Sequence, residues 1–314
     1  MSCPICGNSG PTSVGHRYDD RYGYPGEYKL LQCSHCRHLF LEAAFDADQL
    51  QAMYTDYYPR SHLDIDGYRP ARERHGFFAW LEGARSATFR WVPPNVRVLD
   101  VGCGFGESLG YHRQRGCEVY GVEVDENIRR VAERYGFDVH IGLFDASLYP
   151  REYFDYVTMS QVIEHVNNPV QTLQAISSIL KPGGNAVFST PNAGGWGAWL
   201  FRRYWINWHT PYHLHFFSRQ SMRQAAEQAG LIVETDITVT SSAWLGYQWL
   251  HLFTYPKPGE PSLFWSPGHR WSVWQRLVRF TLKSGHWLKL NHLLTRLFDA
   301  LGLGDNRIIV LRKP

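Results

Sequence analysis

No apolar run in this sequence approaches the roughly 20 residues that a membrane-spanning helix requires. The start, Met1-Ser2-Cys3-Pro4-Ile5-Cys6, has neither a basic nor an apolar segment, so no secretory leader is expected. A cytoplasmic protein with reduced thiols is the expectation. Charge is sparse too. Charged residues make up 19% of the chain and the net charge is +3, too mild to draw nucleic acid unless the basic residues cluster. Low charge beside 44% apolar residues excludes wholesale disorder. Cysteine is scarce, six in 314 residues, a length that suits one large or two modest domains. Aromatic side chains are abundant, much of them in the last third.

Four of the six cysteines form two pairs, Cys3-Pro4-Ile5-Cys6 and Cys33-Ser34-His35-Cys36. Two such knuckles around a short β-rich stretch predict a tetrahedral zinc ribbon over residues 1–41. Four protein ligands leave no open position, so the Zn2+ is expected to be structural. A disulfide or a redox pair is the alternative, and His16, His35 and His38 are spare ligands. Cys103 and Cys117 read as core thiols. Between the knuckles, residues 18–28 mix aromatics, acids and Arg, either to contact a polyhydroxylated substrate or as a solvated hairpin.

The chain is organised around Val96-Arg97-Val98-Leu99-Asp100-Val101-Gly102-Cys103-Gly104-Phe105-Gly106-Glu107. A β-branched apolar run ends in an acid, glycine then takes every second position, and a helix starts. The first strand of a doubly wound sheet opens its ligand crevice in this way. A dinucleotide fingerprint would place a small residue at 107. Glu107 would instead repel a pyrophosphate. Asp100 is placed to meet a cation and the helix-end amides to meet a carboxylate, the two ends of an amino acid. A second apolar run, Tyr120-Gly121-Val122-Glu123-Val124-Asp125, ends in an acid that can accept from both hydroxyls of a ribose. Amino acid plus ribose describes S-adenosylmethionine.

These residues resemble the class I S-adenosylmethionine-dependent methyltransferases. Asp100-x-Gly102-x-Gly104-x-Gly106 is similar to their first motif and Glu123 to their ribose-binding acid. Later motifs match in order: Phe154-Asp155-Tyr156-Val157, Val162-Ile163-Glu164-His165-Val166, Leu180-Lys181-Pro182-Gly183-Gly184 and Thr190-Pro191-Asn192. The resemblance implies an α/β fold, a Rossmann-like, doubly wound, mostly parallel seven-stranded sheet built from 95–240 and 304–314. It implies cofactor contacts from Asp100, Gly102, Gly104, Gly106, Glu123 and Val124. Phe144 and Asp145 would flank the adenine, with Ser160 and Gln161 at the crevice.

Strand and helix patterns alternate as such a sheet requires, with strands at 117–123, 137–141, 154–159, 185–190 and 231–239 and helices at 126–135 and 169–180. Asp125 is expected to cap the first helix, and Asn168 with Pro169 to start the second. Upstream, residues 42–94 read as a helical linker and lid. A short helix over Phe45–Tyr54 carries Asp46 and Gln49 as a capping box. A helix over 72–91 is expected to pack across the sheet edge and close the cofactor pocket.

His209-Thr210-Pro211-Tyr212-His213-Leu214-His215-Phe216-Phe217-Ser218 is the densest cluster of titratable rings. Histidine titrates near neutral pH, so this loop is the natural source of a general base. His213-Leu214-x-x-Phe217-Ser218 resembles a pattern of zinc-bearing sugar C-methyltransferases, which implies His213 as the catalytic base. His165 is the second candidate. In those enzymes a Glu precedes the His, and here the residue is Tyr212, which makes transfer to a hydroxyl as plausible as carbon alkylation. For each His a structural hydrogen bond is the other reading.

Residues 241–303 form a Trp-rich insertion. Basic residues interleave its apolar ones, and no acid falls between Glu260 and Asp299. Basic amphipathic helices with Trp on the apolar face suit a membrane interface. Peripheral contact through 262–298 is one expectation, and a substrate-side cap on the core is the other. The combined reading is O-methylation of a small-molecule or lipid-linked acceptor, a sugar hydroxyl of a surface glycan, with no nucleic acid partner. The alternatives are an RNA methyltransferase that grips its substrate through the ribbon, and a non-catalytic zinc-stapled scaffold. Against the first, Arg17, Arg21, Lys29 and Arg37 are scattered beside acids rather than grouped.

Overall fold

A computed structural model describes residues 1–43, 45, 49, 52–58, 66–266 and 271–314. Alternating Tyr, Leu and Val around the cysteine knuckles give three short strands, β1 (Thr12–Arg17), β2 (Tyr28–Gln32) and β3 (Leu39–Glu42). The helix expected over 45–54 lies largely outside the described residues, and Met53–Tyr57 form a π-helical turn.

The helix expected over 72–91 is much shorter. Helix α1 spans Gly76–Glu82 and stops at Gly83, where φ is +73°, and two 3₁₀ turns follow, Ala84–Ser86 and Thr88–Trp91. A Cβ on Gly83 would lie 2.1 Å from the Thr240 carbonyl oxygen and against the Arg296 guanidinium. That close approach to the insertion, rather than local propensity, ends the helix. Arg296 Nη1 donates to the Trp80 carbonyl at 3.0 Å and Ser242 Oγ to that of Leu81 at 3.0 Å. So α1 docks on the insertion. The glycine loop is instead braced by the strap before α1, where Tyr68 donates to the Gly106 carbonyl at 2.8 Å and the Ala71 amide to that of Glu107.

From Arg97 onward strands and helices alternate as expected: β4 (Arg97–Val101), α2 (Glu107–Gln114), β5 (Glu118–Glu123), α3 (Ile128–Tyr135), β6 (Asp138–Ile141), β7 (Phe154–Ser160), α4 (Pro169–Ile179) and β8 (Leu180–Pro191). Asn168 caps α4 through its side chain, which accepts from the Gln171 amide. Asp125 forms a turn onto Asn127 two residues ahead of α3 rather than capping it directly. Then come α5 (Trp196–Phe201), β9 (His215–Phe216), α6 (Arg219–Gln228) and β10 (Ile232–Thr238). The insertion supplies α7 (Ser242–Phe253), α8 (Val273–Trp287) and α9 (Leu290–Ala300), and β11 (Asn306–Arg312) ends the fold.

The seven-stranded sheet has the order β10-β11-β8-β7-β4-β5-β6. Strand β11 runs against both neighbours, and the other pairings are parallel. Its middle strands are buried on both faces, as parallel strands between helix layers must be, with Val98, Leu99, Val157 and Phe188 fully inaccessible. Chain order reverses between β4 and β7, so the ligand crevice falls at the carboxyl ends of those strands.

The second sheet, β1-β2-β3-β9, takes its last strand from the histidine-rich loop, with Phe40 opposite His215. Cys3, Ile5, Cys33 and Cys36 share one apolar cluster with Leu99, Phe188 and Phe217. The N-terminal sheet is thereby stitched to the loop that carries the candidate base.

Candidate active site

The loop after β4 holds three glycines in the left-handed region, Gly102, Gly104 and Gly106 at φ +74°, +56° and +80°. Their reasons differ. A Cβ on Gly102 would lie 2.5 Å from Val162 Cγ2, so the protein's own packing requires glycine there. A Cβ on Gly104 would meet nothing within 4 Å, so that glycine leaves open space above the loop.

Glu123, at the end of β5, closes onto this loop. One carboxylate oxygen accepts from the Gly104 amide at 2.8 Å, the other from the Val124 and Asp125 amides at 2.8 and 3.0 Å. The oxygen bonded to the Gly104 amide keeps a further lone pair for a hydroxyl. Asp100 is buried beneath. It accepts from Thr158 Oγ1 at 2.6 Å and from Ser108 Oγ, so its carboxylate ties β4 to β7 and to the first turn of α2. Burial raises its pKa to about 6, against the pull of those two hydroxyls.

On the β6 side the Gly142 amide donates to the Glu123 carbonyl at 2.8 Å. Phe144 is half-buried against the central core, while Val124 and Leu143 are exposed. Asp145 is exposed and accepts from the Ser147 amide at 2.9 Å, a bond that lowers its pKa. After β7, Ser160 lies 3.2 Å from Ser189 Oγ. Gln161 adopts a left-handed φ of +57°, which costs a non-glycine residue energy and clusters at functional sites. Its side-chain amide donates to Asn306 Oδ1 at 2.8 Å and its backbone amide to the Ser189 carbonyl at 3.0 Å.

The other side of the crevice is a cluster of imidazoles. His165 Nδ1 lies 2.9 Å from the Tyr212 carbonyl, and His213 Nδ1 lies 2.9 Å from the Asn207 carbonyl. A carbonyl only accepts, so both rings carry their proton on Nδ1 and leave Nε2 bare. His209 Nδ1 sits 3.4 Å from His213 Nε2, and the His165 and His213 ring centres are 4.6 Å apart. Burial lowers the pKa of His165 to about 4 and those of His209 and His213 well below the usual value, so the three rings are neutral at pH 7.

Beside them Glu164 is fully buried, and neither carboxylate oxygen has a hydrogen-bond partner among the described residues. Burial pushes its pKa up to about 8. The N-terminal hairpin forms the outer wall, with the Tyr22 ring centre 5.6 Å from His209 and 5.5 Å from Tyr212.

The four knuckle cysteines are free thiols, not disulfides. Their sulfurs converge within 4.8 Å of one another, with Cys3 to Cys36 and Cys6 to Cys33 each at 3.5 Å. That spacing and ligand type fit a tetrahedral zinc. Burial pushes the Cys33 thiol up, but backbone amides of Cys36 and His35 outweigh it and hold it at about 7.

A family model described as a methyltransferase domain matches residues 62–235, more than half of the chain. The chain belongs to that methyltransferase family. Among curated relatives, the ubiquinone biosynthesis O-methyltransferase of Azoarcus sp. (strain BH72) is 38% identical over 112 residues, 33% of this chain and 48% of that protein. The protein of the same name from Pseudomonas entomophila (strain L48) is 33% identical over 132 residues, 38% of this chain and 57% of that one. The chain thus spans about half the length of the curated relatives it matches. Among solved structures, an S-adenosylmethionine-dependent methyltransferase from Mesorhizobium loti is 16% identical, with a TM-score of 0.44 over 79% of this chain and 99% of that one. The [4+2]-cyclase SpnF is 18% identical, with a TM-score of 0.47 over 87% and 97% of the two chains.

Of the residues singled out from sequence, Asp100, Gly102, Gly104, Gly106 and Glu123 come together at one strand end, and His165 joins His213 across the crevice. His209, Thr158 and Ser108 were missed as site residues, and Glu164 was noted only as part of a motif. His209 had a signal, its place in the histidine-rich run. The partners of Asp100 had none, since Thr158 lies 58 residues away and reaches it through strand pairing.

Proposed function

We propose that this chain transfers the methyl group of S-adenosylmethionine to a hydroxyl of a small-molecule or lipid-linked acceptor. The observation that carries the reading is the meeting of two polar sites at the carboxyl ends of neighbouring strands. One is the glycine loop with Glu123 closed against it, and the other is the pair of bare Nε2 atoms on His165 and His213. When bound, S-adenosylmethionine supplies an electrophilic methyl group. Glu123 accepts from the ribose hydroxyls, Asp100 supplies negative charge on the ammonium side, and Val124, Phe144 and Asp145 border the adenine. Ser160 and Gln161 border the methionine arm. His213 Nε2, with His165 as the alternative, takes the proton of the acceptor hydroxyl.

Transfer to oxygen agrees with Tyr212 preceding His213, and the matched relatives are named for O-methyl transfer. Sugar hydroxyls of surface glycans are the first acceptors to test. The lipid-linked form is supported by α8 and α9, which leave Trp274, Phe280, Trp287 and Leu293 exposed in a segment without acids. Among the described residues no helix is long and apolar enough to cross a membrane, so contact through 262–298 would be peripheral. Cys3, Cys6, Cys33 and Cys36 hold a structural Zn2+ in this reading. Residues 1–41 are then a ribbon, 42–94 a linker, 95–240 with 304–314 the cofactor domain, and 241–303 the insertion.

The test is turnover with labelled S-adenosylmethionine and candidate nucleotide sugars or lipid-linked glycans. His213→Ala is expected to lower kcat by roughly 10²- to 10⁴-fold, the range of general-base contributions, while calorimetry shows cofactor binding unchanged. Undiminished turnover removes His213 from the base role, and absence of cofactor binding by the wild type removes the whole reading. Sedimentation with anionic vesicles tests the insertion separately, and no co-sedimentation at low salt discards the membrane contact.

A further inference from the structure

We infer that Glu164, His165 and His213 form a second cation site, separate from the cysteine cluster, that takes a divalent metal ion at the acceptor side of the crevice. Three observations carry this. One ligand atom from each of the three side chains lies within 4.8 Å of the other two. Metal–nitrogen and metal–oxygen bonds of about 2.1 Å draw such atoms slightly closer.

The second observation is the orientation of the rings. In metal sites a ligating His donates its other ring N–H to a carbonyl or carboxylate, which fixes the tautomer and aims the bare nitrogen. His165 and His213 are both held this way, through Nδ1 to the Tyr212 and Asn207 carbonyls, each at 2.9 Å. Among the described residues, His213 Nε2 has the His209 ring as its hydrogen-bond-range partner, at 3.4 Å, a long contact that a metal bond readily displaces.

The third is the carboxylate. Glu164 is 0% exposed with both oxygens unpartnered, and a buried ionised carboxylate needs a compensating charge. A divalent cation supplies it. The donor set contains no thiolate, which separates this site chemically from the soft cysteine cluster.

Three protein ligands leave coordination positions open, as in catalytic rather than structural sites. His165 is half-buried and follows β7, at whose carboxyl end the crevice falls. The consequence for chemistry rests on the methyl-transfer reading above. With Nε2 of both rings on the cation, neither His acts as the base; the cation takes over that task, and an acceptor hydroxyl at the open position would give its proton to water while the cation stabilises the alkoxide. Acceptors with two adjacent oxygens would chelate and be favoured.

The experiment uses the full chain with zinc retained on the cysteines and MnCl2 as the probe, since soft thiolates select against Mn2+. Free Mn2+ is followed by electron paramagnetic resonance, and S-adenosylhomocysteine binding by calorimetry in parallel. The wild type is expected to bind one Mn2+ per chain. Glu164→Gln and His213→Gln are expected to weaken it by about 10- to 100-fold or more, with S-adenosylhomocysteine affinity unchanged. Electron spin-echo spectra of the wild-type complex should show coupling to imidazole nitrogen, a readout that needs no variant. No bound Mn2+ in a wild type that binds S-adenosylhomocysteine overturns the site, as does bound Mn2+ without nitrogen coupling. A wild type that binds Mn2+ with that coupling but no S-adenosylhomocysteine supports the site and defeats the methyl-transfer reading instead.

Discussion

The two sides of the crevice treat their carboxylates in opposite ways. Asp100 and Glu123, on the glycine-loop side, accept five hydrogen bonds between them from Ser108, Thr158 and the amides of Gly104, Val124 and Asp125. Glu164, on the histidine side, is just as inaccessible to water as Asp100 and accepts none among the described residues. A carboxylate bonded from within the fold is fixed in place before any ligand arrives, and its cost of burial is partly offset. An unsatisfied one keeps that cost, and its environment resists the charge. The first side is preorganised scaffold and the second waits for a partner.

The largest effect that would sharpen this contrast lies in the loop itself. Gly102→Ala forces a Cβ into Val162 at a left-handed φ, and steric strain of about 1–2 kcal/mol for the backbone adds to overpacking of about 1–3 kcal/mol. Urea unfolding should show a loss of that combined size. Gly104→Ala carries only the backbone cost, because nothing lies near its Cβ, yet it should weaken S-adenosylmethionine binding because the new methyl fills the open space. If the two variants lose stability equally, the division between a glycine kept for the protein and one kept for the ligand is broken.

Asp100 gives the next effect, through pH. Its pKa in the folded chain is about 6, raised from the 3.8 of an unhindered carboxyl. The folded state therefore holds a proton that the unfolded state has lost, so this group's stabilisation is complete below 3.8 and disappears as pH rises through about 6. An ammonium nearby favours the ionised form, so cofactor affinity should rise over the same interval. Asp100→Asn should flatten both profiles and lower affinity at pH 7.5 by about tenfold or more, the scale of a hydrogen bond to a charged group. Calorimetry across pH 5 to 8 checks the affinity. A wild-type affinity that is flat across that range would mean Asp100 acts only as a tie between strands.

Much of the first side was legible in the sequence and little of the second, for a physical reason. The glycine loop advertises itself because each glycine answers a local backbone requirement, and Asp100 and Glu123 stand at the ends of apolar runs that can be read as strands. The seven strands and the cap at Asn168 follow from local chemistry in the same way. His165, His209 and His213 could be seen as histidines, but their shared site forms only when the turn after β7 meets the loop before β9. Burial of Glu164 has no local signature at all. The break at Gly83 is equally hidden, since its cause is a contact with Thr240 and Arg296 far along the chain.

The smallest effect is the sharpest test of the contrast. With zinc retained and no other divalent ion added, Glu164→Gln should cost no stability at pH 7, because the amide stands in for the neutral carboxyl and needs no proton taken up on folding. The reason is that the folded chain already holds this carboxyl protonated, with a pKa of about 8. The sign can be followed with pH. A raised carboxyl pKa means stabilisation that is complete below 4.5 and lost as pH climbs to about 8, so the wild type should weaken relative to the glutamine variant between pH 5 and 8. Thermal melts over that interval decide the matter. A loss of several kcal/mol at pH 7 in the variant would mean that Glu164 is held by partners within the fold, and the two sides of the crevice would then be alike.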